Sequence, residues 1–430
     1  MQEVTVLVGG KVGYGINDAG LMICRLFSRL GYSIYMQSDF PSLIVGGHQF
    51  VIVRASAGRI AAHSDKADVV IAFTQEAIDL HKERFNEKTV LIYDSGNVKT
   101  DALSQRGIGL PLGKIVKEEG GTPSMGNHCM LGALCRALGI ERGMLESLLQ
   151  KHHKENLDHN LRIAGRGFDL AGQHDSLERL SEEVLPAISG SQAISLGLLK
   201  AGLQAYVAYP MTPTSPILEF FAKLEPEMGL QVVTPESEIA VIMMSLGYSY
   251  MGIKSAVGTS GGGLSLMVEG LGLAGQAELP AVVVAGQRAG PSTGMPTYTA
   301  QADLDFVMNA GHGEFPRFIA APGDAEEAYY WSGVAMNKAW KYQMPAFILA
   351  DKTLCLGMYS FDVKQVRSFE EEQPVVWDGK GRYERYKNTI DGVSPLAFAP
   401  VKDQAVKATS YVHDEYGITS EEPAVAKAAA

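Results

Sequence analysis

The sequence predicts two α/β domains in series, the second built on a parallel sheet. Three observations carry that expectation. Apolar strand-like runs alternate with amphipathic helix patterns over residues 1–172 and again from residue 189. A charged stretch without periodicity, residues 173–188, separates the two series. The strand-like runs of the second series carry few charges, as strands buried on both faces do. A chain of 430 residues is long enough for two or three cores.

In the first series "EVTVLVGG" is an apolar strand and "INDAGLMICRLFSRLG" a helix, followed by strands "YSIYMQS" and "HQFVIVRAS". "ADVVIAF", the helix "QEAIDLHKERF" and "KTVLIYDSG" extend it towards a mostly parallel sheet with helices on its faces. "GNHCMLGALCRALGI" and "RGMLESLLQKHHKEN" are two further amphipathic helices. The second series begins at "SGSQAISLGLLKAG", and its strands include "QVVT", "SAVGT", "AVVVAG" and "AFILAD". It is expected to span residues 189–362. Residues 363–430 turn polar and irregular and are expected to form an extended connector, with the final "EEPAVAKAAA" building nothing by itself.

The net charge of −11 and pI near 5.5 exclude a large nucleic-acid surface. No apolar run reaches the ~18 residues of a membrane span, and the opening "MQEVTVLVGG" has no signal-peptide pattern, so a cytoplasmic chain is expected. Cys24, Cys129, Cys135 and Cys355 have no C-x-x-C spacing and sit in apolar surroundings, as structural thiols do.

Unusual chemistry follows four strands of the second series. If those strands are parallel neighbours, the four loops share the rim where open α/β sheets bind ligands. "AYPMTPTSP" (208–216) plants a stiff turn between strand and helix, with Thr212 between prolines that cannot continue either element. "TPESE" opens a helix. Glu236 and Glu238 there either complement the helix dipole or supply a partly buried carboxyl for proton exchange with a ring nitrogen. "GTSGGG", with Gly258, Thr259 and Ser260, turns into a helix and suits either packing or an anion. Arg288 ends the apolar strand "AVVVAGQR" and needs an anion there, an internal carboxylate or a substrate's. In the first series "VGGKVGYGIND" has the shape of a nucleotide loop in the wrong glycine order, and His48 follows another glycine turn.

Together, "AYPMTPTSP", "ESEIA", "GTSGGG" and "GQRAGPSTGMPT" resemble, in order, the motifs of 2-oxoacid:ferredoxin oxidoreductases. "GHGEFPR" and "APGD" are similar to the same alpha subunit, while "GINDAG" and "FPSLIVGGH" resemble the gamma domain fused ahead of it in 2-oxoglutarate types. The resemblance implies a gamma-type α/β domain followed by a pyrimidine-binding α/β domain of the thiamin-diphosphate fold. It implies oxidative decarboxylation of a 2-oxoacid, most characteristically 2-oxoglutarate to succinyl-CoA, with electrons passed to ferredoxin. Pyruvate, a branched-chain 2-oxoacid or transketolase-like chemistry are the alternatives. Glu238 matches the carboxylate at the thiamin ring. Thr212 and Arg288 match the groups that meet the substrate, and Tyr209, Pro210, Gly258, Thr259 and Ser260 match residues that line the cofactor. A beta subunit is implied to supply the magnesium–diphosphate site and a [4Fe-4S] cluster, in a heterotetramer. Two departures are visible: "GTSGGG" and "YPMTP" stand where the family more often carries proline and isoleucine, and a carboxy-terminal α/β domain is expected to be absent.

Overall fold

A computed structural model describes residues 1–40, 46–99 and 106–429. The stretch "PSLIV" of the gamma-like motif "FPSLIVGGH" lies outside the described residues. Two compact units emerge, residues 1–188 with 357–363, and residues 189–356 with 364–430. The strands are β1 (Glu3–Lys11), β2 (Ser33–Asp39), β3 (His48–Ser56), β4 (Val69–Ala72), β5 (Val90–Asp94), β6 (Gly107–Leu110) and β7 (Ala187–Ser189). They continue as β8 (Ala205–Ala208), β9 (Gln231–Val233), β10 (Ser255–Ser260), β11 (Ala281–Ala289), β12 (Met295–Thr299), β13 (Phe318–Ala320), β14 (Pro345–Asp351) and β15 (Met358–Ser360).

The first unit's sheet runs β6-β5-β4-β1-β3-β2-β15-β7. Alternation along β1 sends Val4, Val6 and Val8 into one core and Leu7 into the other, so both faces are covered. The sheet is mixed rather than mostly parallel. β1, β4, β5 and β6 are parallel, but β3 is antiparallel to both β1 and β2, and β15 is antiparallel to β2. The cause is connection length. Only residues 40–47 separate β2 from β3, too few for a helical crossover of about ten or more residues. The expected second domain ended at residue 362, whereas β15 joins the first unit. Residues 173–186 form no helix or strand, yet Leu177 is buried in the first unit's core and Leu180 N–H donates to Leu30 O at 2.8 Å. All four cysteines are buried, and burial pushes each thiol up to about 12.

His48 on β3 meets His81, with their Nε2 atoms 2.9 Å apart. One ring must donate and the other accept, so they cannot both be charged. Burial first, then the neighbouring His48, pushes His81 down to about 4. The unfolded chain, with an ordinary histidine near 6.5, takes up that proton first. The stabilisation is therefore complete above pH 6.5 and is lost as pH falls towards 4, on the order of 3 kcal/mol in all. His81→Asn is expected to flatten this acid slope, read as hydrogen-exchange protection of β1 and β3 amides from pH 7 to 4. An unchanged slope in the variant refutes it.

The second unit's main sheet runs β13-β14-β11-β10-β8-β9, parallel throughout, with β12 antiparallel on the far end of β11. Its central strands are buried on both faces, while the edge strand β9 is half exposed. Ser189 opens the unit by capping the helix Gly190–Lys200. Its hydroxyl accepts from Gln192 N–H while the Gln192 side chain accepts from Ser189 N–H. Residues 364–430 are irregular but packed. Arg385, 3% exposed, donates to Gln343 Oε1, Ala277 O and Glu278 O. Lys254 holds Glu371 at 2.8 Å. The terminal segment does build an element, the helix Pro423–Ala429. Alanines favour the helix, and proline is tolerated at its first position.

Candidate active site

Parallel pairing sets the four expected loops side by side. Ala208 at the end of β8 pairs with Gly258 of β10, and Ser260 pairs with Gly286 of β11. β9, which leads into the glutamate helix, lies beside β8. All four loops therefore leave the carboxyl ends of neighbouring strands.

The proline turn is seated against β11. Gly286 has no room for a side chain there, since a Cβ would lie 2.7 Å from Pro213 Cδ and 2.9 Å from Thr214 Cγ2. Thr214 Oγ1 donates to Met211 O at 3.0 Å and closes the turn. Arg288, two residues beyond Gly286, is 9% exposed and donates from Nη1 to Thr212 O at 3.1 Å. The Thr212 hydroxyl, half-buried, bonds no other described residue. Tyr209 and Pro210 stand exposed at the start of the turn.

The sequence left two anions open for Arg288, and the structure supplies one neighbour it did not identify, Asp303. Its carboxyl accepts the backbone N–H of Arg288. Burial lowers the Arg288 pKa against the pull of Asp303, and burial raises that of Asp303 against the pull of Arg288. A guanidinium stays cationic regardless. No side-chain ion pair joins them, and Arg288 Nε and Asp303 Oδ2 are buried without hydrogen-bond partners. Asp303 carried no legible signal, because "TAQADLDF" looks like an ordinary helix start.

Glu238 begins the helix Glu238–Tyr250, capped by Ser237, whose hydroxyl accepts Ala240 N–H. Val241, Ile242 and Leu246 bury that helix against the sheet. Glu236 is exposed, whereas Glu238 is 5% exposed and its carboxyl has no hydrogen bond or ion pair with any described residue. The carboxyl faces Gly263. A Cβ added there would overlap Thr259 Oγ1 and come within 2.6 Å of Glu238 Oε1. Thr259 and Ser260 are fully buried, and the Ser260 hydroxyl has no partner. Gly258 faces inward onto Tyr206 and Thr214. The structure thus brings Glu238 together with Thr259, and Arg288 together with Thr212. Gly261, 3.4 Å from Asp303 Oδ1 at its Cβ position, links the two groups.

An unpartnered carboxyl on a buried residue at the strand-end rim fits the partner of a heterocyclic ring nitrogen. Among the described residues the second unit holds no cluster of three metal-ligating side chains.

Residues 5–170 match the family model of pyruvate ferredoxin/flavodoxin oxidoreductase. Residues 196–429 match that of the thiamine diphosphate-binding part of pyruvate flavodoxin/ferredoxin oxidoreductase. The 2-oxoacid:ferredoxin oxidoreductase subunit alpha of Sulfolobus sp is 30% identical over 97% of this chain and 75% of its own. The chain belongs to the 2-oxoacid:ferredoxin oxidoreductase family, as an alpha subunit. Another relative is the 2-oxoglutarate synthase subunit KorA of Methanocaldococcus jannaschii, 39% identical over 38% of this chain and 45% of its own. A solved 2-oxoglutarate:ferredoxin oxidoreductase from Magnetococcus marinus, with 2-oxoglutarate, coenzyme A and succinyl-CoA bound, superposes with a TM-score of 0.93. It is 31% identical and covers all of this chain and 77% of its own. The alpha subunit therefore has an oxidoreductase family's α/β architecture and a thiamin-diphosphate-binding second unit. No helix among its described residues is long and apolar enough to cross a membrane.

Proposed function

We propose that this alpha subunit serves a cytoplasmic 2-oxoglutarate:ferredoxin oxidoreductase, which makes succinyl-CoA and carbon dioxide from 2-oxoglutarate and coenzyme A while ferredoxin takes the electrons. The observation that carries the reading is the unpartnered Glu238 carboxyl, placed on one strand-end rim with Arg288 and Thr212. Bound thiamin diphosphate supplies the nucleophilic carbon and the electron sink. Glu238 holds or shares a proton at the ring nitrogen. Thr259 and Gly263 keep that end of the pocket narrow, and Tyr209, Pro210, Gly258 and Ser260 shape its walls. Arg288 binds the carboxylate next to the keto carbon, and the Thr212 hydroxyl, held by the proline turn and by Arg288, orients it.

Choice of 2-oxoglutarate rests on its second carboxylate. Lys352, 5% exposed, follows β14, whose Asp351 pairs with Gln287 next to Arg288. Its Nζ donates to Thr297 O at 2.5 Å, so a second cation stands at the same rim. It was legible by the logic that found Arg288, a charged residue ending an apolar strand, in "AFILADK". A beta subunit supplies magnesium, the diphosphate grip and the [4Fe-4S] cluster, in a heterotetramer. Two features support that partner. The four thiols here are buried and protonated, and Ile239, Met243, Met244, Leu266, Met295 and Leu304 lie exposed on elements bordering the rim.

The test is anaerobic co-purification from the native host followed by a 2-oxoacid panel. A partner bearing thiamin and iron–sulfur, with viologen reduction fastest on 2-oxoglutarate and dependent on coenzyme A, is the expected result. Faster turnover of pyruvate or a branched-chain acid overturns the substrate. A partner without iron–sulfur absorbance overturns the oxidoreductase reading in favour of transketolase-like chemistry.

A further inference from the structure

A second cluster of chemistry-bearing side chains lies in the first unit, outside the oxoacid site. Asp18 sits in the first turn of the helix Ile16–Arg29, His128 on the helix Gly126–Ala137, and His153 at the end of the helix Arg142–His152. One ligand atom from each lies within 4.8 Å of the other two. His153 Nε2 is 3.4 Å from Asp18 Oδ2, and the His128 and His153 rings meet edge to face at 4.9 Å. All three border one cavity of about 570 Å³.

An ion pair between Asp18 and His153 does not account for the third member. His128 is 4% exposed, and both its ring nitrogens are buried without a hydrogen-bond partner, although the Asn160 side chain interacts with the ring. Two more buried acceptors on the same cavity wall, Asn127 Oδ1 and Asn160 Oδ1, are also unpartnered. A buried imidazole with neither nitrogen in a well-formed hydrogen bond is costly unless something occupies the space before it.

We propose that Asp18, His128 and His153 form a binding site for a divalent d-block cation of the zinc class, with its fourth coordination position open to the cavity. Two imidazoles and one carboxylate form a borderline-soft donor set that suits zinc better than magnesium or calcium. In a tetrahedral zinc site with bonds of about 2.0–2.1 Å, ligand atoms stand about 3.4 Å apart. The observed separations reach that spacing by side-chain rotation of about an ångström. Asn127 Nδ2 donates to Asp18 Oδ2 at 3.5 Å and steadies the carboxylate. Lys151, Lys154 and Glu155 border the same cavity. The site is independent of the oxoacid reading, since it uses no residue of the second unit.

The test uses the full chain without an affinity tag, stripped with a chelator and titrated with Co²⁺ alone. The expected result is one saturating equivalent with visible ligand-field bands of low coordination number, displaced by Zn²⁺. Asp18→Asn and His128→Gln should each weaken binding by more than about tenfold. Asp18 is half-buried, so its variant keeps the test decisive if His128→Gln does not fold. Absence of saturable binding below millimolar Co²⁺ overturns the proposal and leaves the orphaned groups to water. So does binding that persists in both variants, or that disappears instead in His81→Gln, which would place the ion on the His48–His81 pair.

Discussion

Glu238→Gln in the reconstituted complex is expected to lower 2-oxoacid-dependent viologen reduction by about 10²–10⁴-fold, the usual range for deleting a positioned proton-transfer group. The amide keeps the shape of the carboxyl, so packing over Gly263 and against Thr259 should survive and only the proton chemistry is lost. A second signature separates this from damage to the fold. The carboxyl makes no hydrogen bond or ion pair with any described residue, so the isosteric amide breaks no contact of the fold. The same variant should therefore leave the stability of the second unit unchanged to within about 0.5 kcal/mol in the isolated chain. Lower activity with equal thermal stability fits the assignment. Full turnover removes Glu238 from its role, and lost activity with lost stability makes it a packing residue.

The rim was legible because strand ends in a parallel sheet concentrate chemistry, and each motif there breaks a local rule. Prolines interrupt "AYPMTPTSP", and a guanidinium ends the apolar run "AVVVAGQR". What stayed hidden depends on contacts distant in sequence. Nothing in "TAQADLDF" says that Asp303 faces Arg288, and nothing around Gly263 says that it packs against Thr259 and the Glu238 carboxyl. The mixed first sheet was in principle readable, since the connection between β2 and β3 is short, but helix-and-strand alternation elsewhere masked it. His128 escaped notice for the opposite reason. Inside "GNHCMLGALCRALGI" it fits an amphipathic helix, and only three-dimensional packing shows that its ring has no partner.

Arg288→Ala is expected to lower kcat/KM for the 2-oxoacid by roughly 30- to 5,000-fold, the equivalent of about 2–5 kcal/mol for truncating a buried charge that pairs with its ligand. Two roles are combined in this side chain, and their signatures differ. As the carboxylate anchor it acts on the 2-oxoacid alone, so KM for the 2-oxoacid should rise while KM for coenzyme A stays put. As the brace of the proline turn, through Nη1 to Thr212 O, it positions the hydroxyl and acts mainly on kcat. Arg288→Lys keeps a cation at the rim but loses the fork that reaches both Thr212 O and a carboxylate, so it should recover part of the KM and little of the kcat. Equal loss for both substrates in Arg288→Ala would reduce the residue to a structural brace. In that case the carboxylate of the 2-oxoacid must be met by Lys352, whose Nζ already reaches the rim at Thr297 O.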